Sequence, residues 1–207
     1  MAELTPKILV LFYSMYGHVY AMAQAVVEGV IEAGGEPILK QVEELVPEKF
    51  WNDVARNAKE LMSEVPVADP FSDLKGIDGL VVGTPTRFGN MCAQMREFWD
   101  QTGADFAAGT LTGKPAAVFA SSNTQHGGQE TTIITTMITL LHHGAILVGL
   151  PYTNQEQSRM DEITGGSPYG ASTIAGQGGS RQPSENELLL AKRLGIRLTE
   201  VARKLMA

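Results

Sequence analysis

A chain of 207 residues and 22.3 kDa fits a single domain over residues 1–207 and buries a sizeable core without disulfides or structural metal. Its 23 acidic residues against 16 Lys and Arg give a formal charge of -7, which disfavours nucleic acid or an anionic membrane as partner. Cys92 is the only cysteine, so an intrachain disulfide and a four-cysteine zinc site are excluded, no metal is expected, and a reducing cytoplasm suits the chain.

The opening MAELTPKILVLFYS carries acidic Glu3 and no basic run, so it reads as a strand and not as a signal peptide. Lys7 to Tyr13 is the continuous apolar run of a strand covered on both faces. Gly17 to Ala33 then carries apolar residues at helical spacing up to Gly34-Gly35. Pro37 to Val42 predicts a second strand, Val46 to Ser63 a helix, and Glu64 to Asp78 a loop with at most one turn. Next come a strand over Gly79 to Gly83, a helix over Met91 to Thr102, and a strand over Pro115 to Ser121. A helix over Gln129 to His143 and a fifth strand over Ala145 to Leu150 follow.

Thr131 to Pro151 has no Asp, Glu, Lys or Arg, over nearly the ~20 residues a spanning helix needs. His142-His143-Gly144 interrupts it, so it reads as a helix followed by a strand, without membrane insertion. Asn154 to Pro183 is long and polar, with GGSPYGASTIAGQGGS at its heart. Tyr169 and Ile174 are unlike a linker, so the segment is expected to pack on a ligand, the body or a second subunit; disorder is the alternative. Ser184 and Glu187 form a capping box before the apolar stripe of a final helix, Leu188 to Leu205.

Five strands alternating with helices predict an α/β fold, a doubly wound parallel sheet with helices on both faces. A ligand is then expected at the carboxyl ends of the strands. Three strand ends carry suitable loops. Ser14, Met15, Tyr16, Gly17, His18 and Val19 open the first helix, where main-chain N–H groups can converge on a phosphate without any Lys or Arg; the alternative is an ordinary N-cap by Ser14. Thr86, Arg87 and Phe88, flanked by Pro85 and Gly89, offer a hydroxyl, a cation and an aromatic face to a flat heteroaromatic ring; a surface ion pair and a core Phe are the alternatives. Ser122, Asn123, Thr124, Gln125, His126 and Gly127 add hydroxyls and amides, or form a solvated turn. GTLTGK at Gly109 lacks Walker A spacing, no G-x-G-x-x-G follows the first strand, and no G-x-S-x-G elbow is present. By their chemistry alone, His142 and His143 read as core or helix-end histidines on different faces.

With SMYGH at Ser14, GTPTRFGNM at Gly83, DQTG at Asp100, GGQE at Gly127, LHHG at Leu141 and GGSPYGASTIAGQGGSRQPS at Gly165, the chain resembles the WrbA-type (type IV) NAD(P)H:quinone oxidoreductases. The resemblance runs from Lys7 to the last helix. It implies a flavodoxin-like five-stranded sheet of order 2-1-3-4-5, a homotetramer built as a dimer of dimers, and FMN as cofactor with NADH or NADPH as donor. It also implies two-electron reduction of quinones to hydroquinones in ping-pong fashion, protective under oxidative stress. Ser14 to Val19 would hold the FMN phosphate, Thr86, Arg87 and Phe88 the ring region, and Ser122 to Gly127 the ring and ribityl chain. His142 would complete the site from a neighbouring subunit or from a loop above the ring, and Tyr16 would touch the nicotinamide nucleotide. Arg87 and His142 are the candidate catalytic groups.

Phe106 stands where the family commonly has a Trp beside the substrate, and SSNTQHGG replaces a Gly- and Thr-rich run. The rival function is a one-electron carrier, an acidic flavodoxin docking on redox partners.

Overall fold

The computed structural model describes residues 4–207; Glu3, used above, lies outside them. Its strands are β1 (Lys7–Phe12), β2 (Glu36–Gln41), β3 (Gly79–Pro85), β4 (Pro115–Ser122), β5 (Ile146–Leu147) and β6 (Ser172–Ile174). Its α-helices are α1 (His18–Glu32), α2 (Asp53–Leu61), α3 (Ala93–Asp100), α4 (Gly103–Ala108), α5 (Gln129–His142) and α6 (Glu185–Leu205). All strand pairs are parallel in the order β2-β1-β3-β4-β5, with β6 also on β4.

Alternate strand residues face opposite sides, and both sides are covered. Ile8, Val10, Phe12, Val81 and Phe119 pack with Met22 and Val26 of α1 and with Leu190, Leu194 and Leu198 of α6. Leu9, Leu11, Leu80, Val82 and Val118 pack with Met95, Phe98 and Trp99 of α3 and with Ile133, Met137 and Leu140 of α5. Cys92 is fully buried in this second layer, where burial pushes its thiol up. A Cβ on Gly29 would lie 2.1 Å from the carbonyl oxygen of Lys192, so α1 and α6 meet backbone to backbone. No helix among the described residues is long and apolar enough to cross a membrane.

Three elements depart from expectation. The helix expected over Val46 to Ser63 starts only at Asp53, because the Asn52 side chain accepts the Ala55 N–H at 2.9 Å and caps it there. The helix expected over Met91 to Thr102 is α3, and a further helix that was not expected, α4, follows it and is ended by Gly109 at φ 67°.

The third departure matters for the site. The strand expected over Ala145 to Leu150 pairs with β4 only at Ile146 and Leu147, with one further bond from Val148 N–H to Ala116. Leu150 N–H already turns to Pro168, and the upper half of β4 is completed by β6, Ala120 to Ser122 against Ser172 to Ile174. Two pieces thus fill the fifth position of the sheet, separated by the long polar segment. That segment packs on the body of the protein and carries its end to the carboxyl edge of the sheet.

Candidate functional site

A cavity of about 410 Å³ opens where β1, β3 and β4 end. Tyr13 N–H bonds to Gly83 at 3.0 Å, and the chain then leaves the sheet. Ser14 Oγ accepts the Gly17 N–H at 3.1 Å, and Gly17, at φ 91°, turns the chain into α1. Ser14 is therefore a turn former, while Gly17 holds the N-cap position without a side-chain cap. Among the described residues, the amides of Met15, Tyr16, His18 and Val19 meet no acceptor, backbone or side chain. These donors sit at the positive end of a fifteen-residue helix, beside the cavity that their residues line.

Behind this loop lies a tight polar network. Lys59, from α2, places Nζ 2.6 Å from a Glu44 carboxylate oxygen and 3.0 Å from the Ser14 carbonyl oxygen. Glu44 also accepts from Tyr13 Oη at 2.9 Å, Gln94 Nε2 at 3.1 Å and Val46 N–H at 2.8 Å. Burial pushes the Glu44 carboxyl up, but the bonds from Lys59 and Val46 N–H outweigh it and hold it below the usual carboxylate range. Burial, then the Glu44 carboxylate, drives the Tyr13 phenol far above its ordinary value, so it stays a neutral donor.

The second loop supplies Pro85, Thr86 and Arg87 as cavity wall, and Arg87 is the one cation among the lining residues. Thr86 N–H bonds to Ser121 at 2.7 Å, tying the ends of β3 and β4 together. Phe88 has φ 54°, a strained value for an aromatic residue, and is fully exposed. The third loop contributes Ser121, Ser122 and Asn123.

A fourth wall comes from the turn after β6, where Ala175, Gly178 and Gly179 reach the cavity. Gly176, Gly178 and Gly179 all have φ near 70°, and a Cβ on Gly179 would meet His18 at 3.2 Å. The turn is anchored by Glu187, whose fully buried carboxylate accepts from Gly165 N–H, Ile174 N–H, Thr173 Oγ1, Arg181 Nη1 and Ser184 N–H at 2.7 to 3.1 Å. The Glu187 of the capping box thus also holds the long segment to α6.

Burial lowers His18 below its ordinary value near 6.5, and its Nε2 has no partner. Burial likewise lowers His143, against an opposing pull from Asp105. In both cases the unfolded imidazole takes up a proton at a pH where the folded one does not. The fold is thus expected to lose stability as pH falls from about 6.5. Thermal melts between pH 7.5 and 5.5 should show this slope reduced in H18Q; an equal slope in wild type and variant would contradict it.

The family described as NADPH-dependent FMN reductase matches residues 6–157. A protein named NAD(P)H dehydrogenase (quinone) from Geotalea daltonii is 52% identical over 97% of this chain and 98% of its own length. Proteins of the same name from Aromatoleum aromaticum and Methanosarcina acetivorans are 54% and 52% identical, covering 97% and 96% of this chain and 97% and 98% of their own lengths. This chain belongs to the NAD(P)H dehydrogenase (quinone) family. The solved structure of the flavodoxin, WrbA-like protein from Agrobacterium tumefaciens superposes with TM-score 0.66 at 22% identity, covering 97% of this chain and 99% of that one, which shows the flavodoxin-like fold.

Against this NAD(P)H dehydrogenase (quinone) background, the predicted site residues divide. Ser14, Met15, Tyr16, His18, Val19, Thr86, Arg87, Ser122 and Asn123 line one cavity, with Gly17 shaping its edge. Phe88, Thr124, Gln125, His126 and Gly127 do not line it; the third loop turns away because Ser122 Oγ donates to the Thr124 carbonyl at 2.7 Å and Gly127 N–H bonds back to the same carbonyl at 3.1 Å. His142 lies at the far end of the strands, just before β5, whose Ile146 pairs with Pro115 at the start of β4. It therefore does not overhang the cavity of its own chain. Phe106 is there too, its ring edge-on to His143 at 5.8 Å.

His143 is the core histidine of the pair. Thr102 Oγ1 donates to the Trp99 carbonyl at 2.7 Å, so at 3.2 Å it accepts from His143 Nε2–H. Asn52 lines the cavity without having been expected to, and Ala175, Gly178 and Gly179 line it from the long polar segment that was expected to pack on a ligand, the body or a second subunit, though none of the three was named as a site residue. The only local signals were an Asn ahead of a helical run and the closely spaced glycines of GQGGS.

Proposed function

We propose that this chain is an FMN-dependent NAD(P)H:quinone oxidoreductase. The reading is carried by the acceptor-free amides of Met15, Tyr16, His18 and Val19 at the mouth of α1. Such a cradle suits a phosphate monoester, and the adjoining walls suit a flat polar ring. The residues present fit FMN. Ser14 Oγ already accepts from Gly17, so its O–H remains to donate to the phosphate. Pro85, Thr86, Arg87, Ser122 and Asn123 enclose the ring region, and the Arg87 guanidinium stabilises negative charge there. Bound FMN supplies the hydride chemistry between NAD(P)H and quinone.

Tyr16 lines the cavity and is 42% exposed, which supports its role in meeting the nicotinamide nucleotide. His142 and Phe106 act on the cavity of a neighbouring subunit in a homotetramer, a dimer of dimers. The exposed stripe of Ile134, Ile138 and Leu141 on α5, next to His142, supports such an assembly. The single cysteine and its burial suit a cytoplasmic setting, where two-electron quinone reduction limits oxidative stress.

NAD(P)H and quinone use one open face in turn. Steady-state rates at several quinone concentrations are expected to give parallel double-reciprocal lines. Intersecting lines would require both substrates bound together and would overturn the shared face.

A further inference from the structure

We infer that Lys59 is a positioning residue for the phosphate cradle, acting through the Ser14 carbonyl and not by contact with the anion. The inference rests on the functional reading above. Lys59 Nζ bonds to the Ser14 carbonyl oxygen at 3.0 Å. In a trans peptide unit the carbonyl and the following N–H point in opposite directions. Fixing the Ser14 carbonyl toward α2 therefore turns the Met15 N–H, one of the acceptor-free donors, the other way.

Lys59 is itself held in one place. Its ammonium is 2.6 Å from Glu44, lies 4.7 Å from the Tyr13 ring centroid and 6.0 Å from that of Trp51, and its side chain is 13% exposed. The Glu44 partner offsets its charge, so the cradle gains orientation without a bare cation behind it. The same helix lies close beneath the turn, since a Cβ on Gly17 would come within van der Waals contact of the Ala58 Cβ, at 3.8 Å. Glu44, Lys59 and Ser14 are distant in sequence, and only the packing of α2 on the first loop unites them.

The test compares FMN with riboflavin, which differ by the phosphate alone, by fluorescence quenching on flavin-free protein. K59M keeps the apolar stem on Tyr13 and Trp51 and removes the donor. K59M/E44Q does the same while leaving no unpaired buried charge, and it serves as the test should K59M not fold. Either variant is expected to weaken FMN binding by about tenfold while riboflavin changes by less than about twofold, with K59R recovering most of the loss. Unchanged FMN affinity, or an equal loss for both flavins, would overturn the positioning role. A wild-type chain that binds neither flavin would instead contradict the functional reading, and the positioning role with it.

Discussion

Replacing Glu187 by glutamine is expected to lower the stability of this protein by about 3 to 5 kcal/mol, the cost of breaking a buried ion pair on one side. The carboxylate is fully buried and gathers five donors, including Arg181, which also bonds to the carbonyls of Ile174 and Ile163. Glutamine keeps the shape but presents an NH₂ where an acceptor is required, and it leaves the guanidinium without its counter-charge. For a chain of this size that corresponds to a fall of about 6 to 20 °C in the denaturation midpoint. The damage is directional. Because Glu187 ties Gly165, Thr173, Ile174 and Arg181 to α6, the turn at Gly176 to Gly179 loses its anchor, and flavin retention should fall with it. Limited proteolysis is expected to open the chain between Ile163 and Arg181 first. An E187Q protein with an unchanged midpoint and no new cleavage there would contradict this account of how the long segment is held.

The second large effect is on binding, with the fold spared. S14D keeps an oxygen that accepts the Gly17 N–H in the same turn, since Asp and Ser both form it. It also places a negative charge among the amides proposed to hold the phosphate. Two like charges about 4 Å apart repel by about 4 kcal/mol at an effective dielectric of 20, so FMN affinity is expected to drop by at least about a hundredfold. Riboflavin, without the phosphate, should be much less affected. Isolating S14D with a full complement of FMN would show that the phosphate lies elsewhere.

The elements that set the site were legible because each left a local pattern. Lys7 to Tyr13 and Gly79 to Gly83 are uninterrupted apolar runs, and β1 and β3 are buried along almost their whole length. The capping box of Ser184 and Glu187 marked the start of α6 and is present. The split fifth strand was not legible. Ala145 to Leu150 reads as one apolar run, yet a Cβ on Gly149 would sit 2.2 Å from the Pro168 carbonyl oxygen, so the returning segment displaces the strand there. Its replacement, β6, is Ser172-Thr173-Ile174 inside a glycine-rich block. Ser172 and Thr173 are buried with their hydroxyls satisfied by Gln129 and Glu187, partners that local composition cannot reveal.

The first loop of the cavity was readable as a strand end with small residues and no cation. The Lys59 bond to Ser14 was not, since it comes from a helix forty-five positions away. The placement of His142 at the end of the sheet opposite the cavity was implicit in the sequence, because a helix that joins two parallel strands must run back antiparallel to them, as α5 does between β4 and β5.

The most direct measurement is an anaerobic titration of the FMN-loaded protein with NADH or NADPH in the absence of quinone. The account predicts that one equivalent bleaches the flavin absorbance directly, and that one equivalent of benzoquinone, added afterwards, restores it. Flavin that stays yellow under excess of both nicotinamide nucleotides would contradict the assignment of this cavity to NAD(P)H-dependent quinone reduction.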